Sequence, residues 1–144
     1  MADVKISALT DAGAMAGDEV LPIVQSTATK KVKARDVSKI GYQDIQTVSA
    51  ATKTLALTDR GSWMRFTVAN TLTVPTNASV AFVIGEVLNG IQAGSGQVTI
   101  TAASGVTINK PASTNAKTRV QGSAFSLIKV AADTWDLVGD LEAA

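Results

Sequence analysis

Asp133, Asp136 and Asp140 fall close together near the end of the chain, and with Asp59, Glu86 and Glu142 they are carboxylates that could act as acid and base. Two such groups facing each other across a sugar would cleave a glycosidic bond. The three aspartates, however, flank a turn and a strand end, where Asp is favoured for backbone reasons. The chain has 144 residues with no His and no Cys, so the commonest general base, the commonest metal ligand and the most nucleophilic side chain are absent. The carboxylates therefore read as solvated turn residues. No catalytic residue, metal ligand or cofactor site is expected, and the chain reads as a structural or binding protein.

Other candidate chemistry is weaker still. Gly90, Gly94 and Gly96 suggest a phosphate loop, but no GK[ST] follows and Val98 and Thr99 stand where a last glycine would be needed. A flexible turn is the expectation there. Lys30, Lys31, Lys33 and Arg35 form the one basic cluster. No aromatic residue is interleaved to stack bases, so nucleic acid is not expected, and a solvated strand face or a docking patch for an acidic protein surface is. Trp63 and Trp135 could offer flat ring faces to a carbohydrate, although Trp beside a β core is more often packing. Asn77-Ala78-Ser79 matches a glycosylation sequon, which carries no meaning without a secretory leader. None is expected, since no basic region runs into an apolar core after Met1.

The elements that must position these residues are strands. The hydrophobic fraction is 46% but the aromatic fraction only 4%, so Ala, Val and Thr carry most of the side-chain volume. A chain of this length buries roughly 70% of the surface its unfolded form exposes, enough for one domain with an arm. Net charge is +1 and pI about 8.0, which removes a global field for nucleic acid or anionic membrane. Mean hydropathy is +0.21, yet the longest aliphatic run, Val80 to Ile84, is far short of a membrane span.

Met64, Phe66 and Val68 alternate on one face of a strand, as do Leu72 with Val74, Val98 with Ile100, and Val106 with Ile108. Phe125 to Val130 and Trp135 to Val138 make a final pair. Turn signals recur about every 8 to 12 residues, which predicts an all-β fold with an antiparallel sandwich or barrel-like body over residues 54–144. The faces of Met64/Phe66/Val68 and Val98/Ile100 are thin, and are expected to be covered by neighbouring copies. Residues 42–53 read as a linker, in which Ile45 and Val48 could form a short helical face. Residues 1–41 read as an arm. Within it Glu19 to Gln25 is extended, with Pro22 suiting an edge strand. Ala28 to Lys33 forms a polar second strand, and residues 34–40 could make two helical turns stopped by Gly41. No exact internal repeat is evident.

The arm runs Ile6-Ser7-Ala8-Leu9, then Gly17 to Gln25 (GDEVLPIVQ), Ala28-Thr29-Lys30-Lys31-Val32 and Asp36 to Ile40 (DVSKI). This resembles the N-terminal segment of many tailed-phage fibre and head-fibre proteins. The body, with Gly96 to Ile100 (GQVTI), Gly105 to Asn109 (GVTIN) and Trp135 to Leu141 (WDLVGDL), is similar to the small β modules of phage tail and decoration proteins. The resemblance implies a virion structural protein without enzymatic activity, usually a homotrimer, made in the host cytoplasm and carried on the virion surface. Its arm would dock on the major capsid protein or a tail protein, without nucleic acid or membrane. Val20, Leu21, Ile23, Val24, Lys30, Lys31, Lys33 and Arg35 would make that contact. With no further domain after residue 144, a capsid decoration or head-fibre protein is expected ahead of a short tail fibre or appendage that binds host carbohydrate through Trp63 or Trp135.

Overall fold

Alternating polar and apolar residues produce strands almost throughout. The structure, a computed structural model, describes residues 20–25, 28–33 and 43–144. The chain divides into two compact units, Met1–Tyr42 and Gln43–Ala144. In the first, β1 (Val20–Gln25) and β2 (Ala28–Lys33) pair antiparallel, with Gln25 opposite Ala28 and Val20 opposite Lys33. Pro22 lacks a backbone donor and sits in a two-stranded sheet, where each strand has a free edge. The helix expected over residues 34–40 lies outside the described residues, and so does Arg35.

The second unit is all β, built from two mixed sheets. Its strands are β3 (Asp44–Val48), β4 (Thr52–Thr54), β5 (Ser62–Phe66), β6 (Asn70–Val74), β7 (Val87–Gln92), β8 (Val98–Ala102), β9 (Thr107–Asn109), β10 (Thr114–Thr118), β11 (Ala124–Ala131), β12 (Thr134–Gly139) and β13 (Leu141–Ala143). One sheet has six strands in the order β3-β5-β7-β11-β12-β9, and the other five in the order β13-β10-β8-β6-β4. The body expected to be antiparallel is therefore corrected to mixed. β3, β5 and β7 run parallel, as do β4, β6 and β8, and β9 runs parallel to β12. Antiparallel pairing in this unit involves the later strands, where β11 joins β7 and β12 and β10 joins β8 and β13, with β11–β12 a hairpin.

The physical reason lies in the corners. Consecutive strands from β3 to β8 enter opposite sheets, so each strand meets the next-but-one strand of the chain, running the same way. Three strand–corner–strand rungs stack: β3–β4, β5–β6 and β7–β8. The corners stack with them. Thr67 N–H donates to Val48 O at 3.0 Å, and Ala93 and Gly94 N–H both donate to Phe66 O at 2.8 and 2.9 Å. Gly94 and Gly96 are thus close-approach positions and not a flexible turn. A Cβ at Gly94 would lie 2.0 Å from Thr67 O, and one at Gly96 would lie 2.2 Å from Ala69 N.

The residues expected as a linker, 42–53, contain β3 and most of β4, so they carry the first rung of the body. Ile45 and Val48 lie on opposite faces of a strand, with Val48 in the core and Ile45 65% exposed. A spacing of three suits a helix, but pairing with β5 places these residues in a ladder, and tertiary pairing overrides so short a local signal.

The core lies between the two sheets. Met64, Phe66, Leu88, Phe125, Leu127, Trp135 and Leu137 from the six-stranded sheet meet Leu72, Val74, Val98 and Ile100 from the five-stranded one. Met64, Phe66, Val98 and Ile100 are therefore covered within one chain, which removes the expectation that neighbouring copies bury them. Val68 lies past the end of β5 and is exposed. Outward positions in the five-stranded sheet are threonines in register: Thr52–Thr71–Thr99 and Thr73–Thr101, with Thr54 opposite Thr73.

Candidate functional site

The carboxylates considered as catalysts each have a local structural partner. Asp59, fully buried, accepts from Lys53 Nζ and from Ala56 N–H, both at 2.9 Å. Lys53 is placed there because the position in line with Leu72 and Ile100 points inward, and Asp59 neutralises it at the end of the rung stack. Glu86 accepts from Arg60 at 2.7 Å, Asp136 from Asn109 at 2.8 Å, and Glu142 from Gln97 at 3.2 Å. Asp140 receives Arg119 Nε and Nη2 at 2.7 and 3.0 Å and the Ser123 hydroxyl at 2.6 Å. The Arg119 hydrogen bonds, then that of Ser123, hold the Asp140 carboxyl below its usual range. Asp133 accepts Asn77 N–H at 2.7 Å. Among the described residues no group of three or more acidic, His or Cys side chains could hold a metal ion. No helix among them is long and apolar enough to cross a membrane.

The two tryptophans have different fates. Trp135 is 1% exposed, with Phe82 edge-on at 5.4 Å and Lys129 Nζ 5.7 Å from the ring centre. It offers no face to a sugar, so its reading as a carbohydrate contact is corrected: β12 turns it inward beside Leu137. Trp63 points outward from β5 and is half-buried, paired in register between Ile45 and Asn89. Exposed Val87 and Val138 lie on the same sheet.

Of the residues expected to dock a partner, Val20, Leu21, Ile23 and Val24 lie on β1, and Lys30, Lys31 and Lys33 on β2. The register sets Lys33 opposite Val20, Lys31 opposite Pro22, and Lys30 opposite Ile23. The hairpin thus brings together apolar and basic residues that the sequence keeps apart.

Two features were not anticipated from the sequence. At the open end of the rung stack, where β3 and β4 are the last strands of their sheets, a cleft of about 300 Å³ is lined by Gln46, Thr47, Val48, Ser49, Ala50, Thr52 and Lys53. Gln46 Oε1 is buried there without a partner. The other is Lys129, a lysine 1% exposed in line with Phe125 and Leu127 on the inner face of β11. The alternation Phe125-x-Leu127-x-Lys129 was the available signal, since an inward row continued by a lysine implies a buried amine.

No protein-family model matches this sequence, and no curated protein matches it.

Proposed function

We propose that this chain is a non-enzymatic structural protein of a tailed-phage virion, a homotrimeric capsid decoration or head-fibre protein docked through its N-terminal unit. The observation that carries the reading is the division of the chain. A unit ending at Tyr42 contains a two-stranded hairpin of mixed apolar and basic residues, and a separate body from Gln43 has its own core. A body whose carboxylates are occupied by structural partners suits a scaffold better than a reaction centre. The resemblance of the arm and body to phage fibre and decoration proteins supplies the virion as the setting.

The hairpin supports docking by two routes. Its strand edges can add to an exposed sheet edge on the major capsid protein or a tail protein. Lys30, Lys31, Lys33 and Arg35 meet acidic residues of that surface and steer the encounter. Self-association falls to the outer face of the six-stranded sheet, where Ile45, Trp63, Val87 and Val138 are available.

Deleting residues 1–42 tests the reading. The remaining body is expected to keep a β-type circular dichroism spectrum and to lose co-sedimentation with phage particles. Full occupancy by the truncated protein would place the docking surface in the body. Light scattering of the full chain is expected to give three copies, and a monomer at micromolar concentration would overturn the trimer.

A further inference from the structure

The most unusual polar group in the core is Lys129. A buried ammonium ordinarily faces a carboxylate, because taking an unpaired charge out of water is costly. Lys129 makes no ion pair among the described residues. Its Nζ instead donates to the side-chain oxygen of Asn77 at 2.5 Å and lies over the Trp135 ring. Asn77 sits in the loop between β6 and β7, and is brought to the amine from 52 positions away in the chain. That loop is fixed to the β11–β12 turn by Asn77 N–H donating to Asp133 Oδ1 at 2.7 Å. Trp135 packs against the buried amine and Phe82 packs edge-on against Trp135, while Asn77 is half-buried.

A primary amine held against a carboxamide beside an aromatic ring is the reactant pair of an amide exchange. We propose that Lys129 and Asn77 form an intramolecular isopeptide bond. A carbonyl C–O bond is about 1.23 Å long, so Nζ lies within about 3.7 Å of Asn77 Cγ. This is close to the roughly 3–3.5 Å of a near-attack arrangement.

In the reaction the Nζ lone pair attacks Cγ, the Nζ–Cγ bond forms and the Cγ–Nδ2 bond breaks. Nδ2 leaves as ammonia, carrying its own two hydrogens and one from Nζ. If the amine starts protonated, the extra proton departs with it as ammonium. No oxidant, reductant or co-reactant is required. The proton passes from Nζ to Nδ2 within the tetrahedral adduct, where the two nitrogens share Cγ, and Asp133 positions Asn77 through the backbone bond. The product replaces a buried charge by a neutral amide and ties the crossover between the second and third rungs to β11. The inference stands on these contacts alone and holds whether or not the virion reading does.

The test is the mass of the full chain under denaturing conditions. Wild-type protein is expected to weigh less than its sequence by one ammonia. Trypsin is expected to leave the bond after Lys129 uncut and to yield a branched peptide joining the segment with Asn77 to the segment with Lys129. Lys129→Met and Asn77→Ala are each expected to restore the sequence mass, and Asp133→Ala, which removes the acceptor that holds the Asn77 backbone, to lower the coupled fraction. A wild-type mass equal to the sequence would overturn the proposal. So would an ammonia loss that persists in Lys129→Met, because it would have arisen elsewhere. The branched peptide is sought in wild-type protein, so the test survives a variant that does not fold.

Discussion

Thr118 donates its hydroxyl proton to Gln92 Oε1 at 2.6 Å, and the same hydroxyl oxygen accepts Val98 N–H at 2.8 Å. One buried side chain thereby links β7 of the six-stranded sheet to β8 and β10 of the other. Gln92 completes the network by donating to Gly94 O and Ser95 O at 3.2 and 3.3 Å, which fixes the corner of the third rung. Thr118→Val keeps the shape and removes both hydrogen bonds, leaving a buried donor and a buried acceptor unpaired. The expected loss is about 2–6 kcal/mol, since each of the two orphaned groups costs about 1–3 kcal/mol. Thr118→Ser is expected to lose much less. Urea denaturation of the two variants decides it, and equal midpoints would show that the network contributes little.

The stacked corners make a second prediction. Gly94→Ala requires the backbone at Thr67 to move, because the new Cβ would lie 2.0 Å from its carbonyl oxygen. Overpacking of this kind costs about 1–3 kcal/mol or more. Gly61, at φ +65°, has open space around the Cβ position, so Gly61→Ala carries only the left-handed backbone cost of about 1–2 kcal/mol. The Gly94 variant is therefore expected to melt at the lower temperature. The reverse order would mean that the corners are loosely stacked.

Much of the strand content was legible, and the reason is burial on one face. Met64 with Phe66, Leu72 with Val74, and Val98 with Ile100 alternate strictly, and all lie inside. The same alternation serves a parallel and an antiparallel neighbour equally, so it could not reveal that β5 pairs parallel to both β3 and β7. The clue to stacking was the three short motifs Thr52-Lys53-Thr54, Thr71-Leu72-Thr73 and Thr99-Ile100-Thr101, which align in register. They are too short to stand out as a repeat. Gly94 and Gly96 read as flexible because sequence shows a glycine's freedom and not the backbone that crowds it. Trp63 and Trp135 differ only in which side of a strand they leave, a choice fixed by each strand's register in the sheet.

That difference can be measured. Trp135→Ala removes a ring packed against Phe82 and Lys129, and is expected to cost about 3–5 kcal/mol as other buried Trp truncations do. Trp63→Ala, on the outer face, is expected to cost about 1 kcal/mol or less, in line with substitutions outside a core. Any fluorescence change on adding host polysaccharide is expected to vanish in Trp63→Phe. A change that persists in that variant would have to come from Trp135, and the core around it would then be open to ligand.

Acid sensitivity follows from the carboxylates near the C-terminal strand. Asp140 is held below its usual range by the Arg119 hydrogen bonds and then by Ser123, and Glu142 by the hydrogen bond from Gln97. A carboxyl depressed in the folded state stays ionised there while its unfolded counterpart takes up a proton, so in that window the unfolded chain binds more protons and stability rises with pH. The contribution is full above the unfolded values of about 3.9 for Asp and 4.3 for Glu, and is lost as pH falls through the lower folded values. Arg119 and Asp140 are both well exposed, so the effect is modest and shrinks with added salt. Thermal melts from neutral pH to about pH 3 are expected to fall less steeply below the usual carboxylate range in Arg119→Gln than in the wild type, a window set by those reference values. Identical pH profiles would show that Arg119 does not set the Asp140 ionisation, although its backbone N–H still bonds Asp140 O and β10 still pairs with β13.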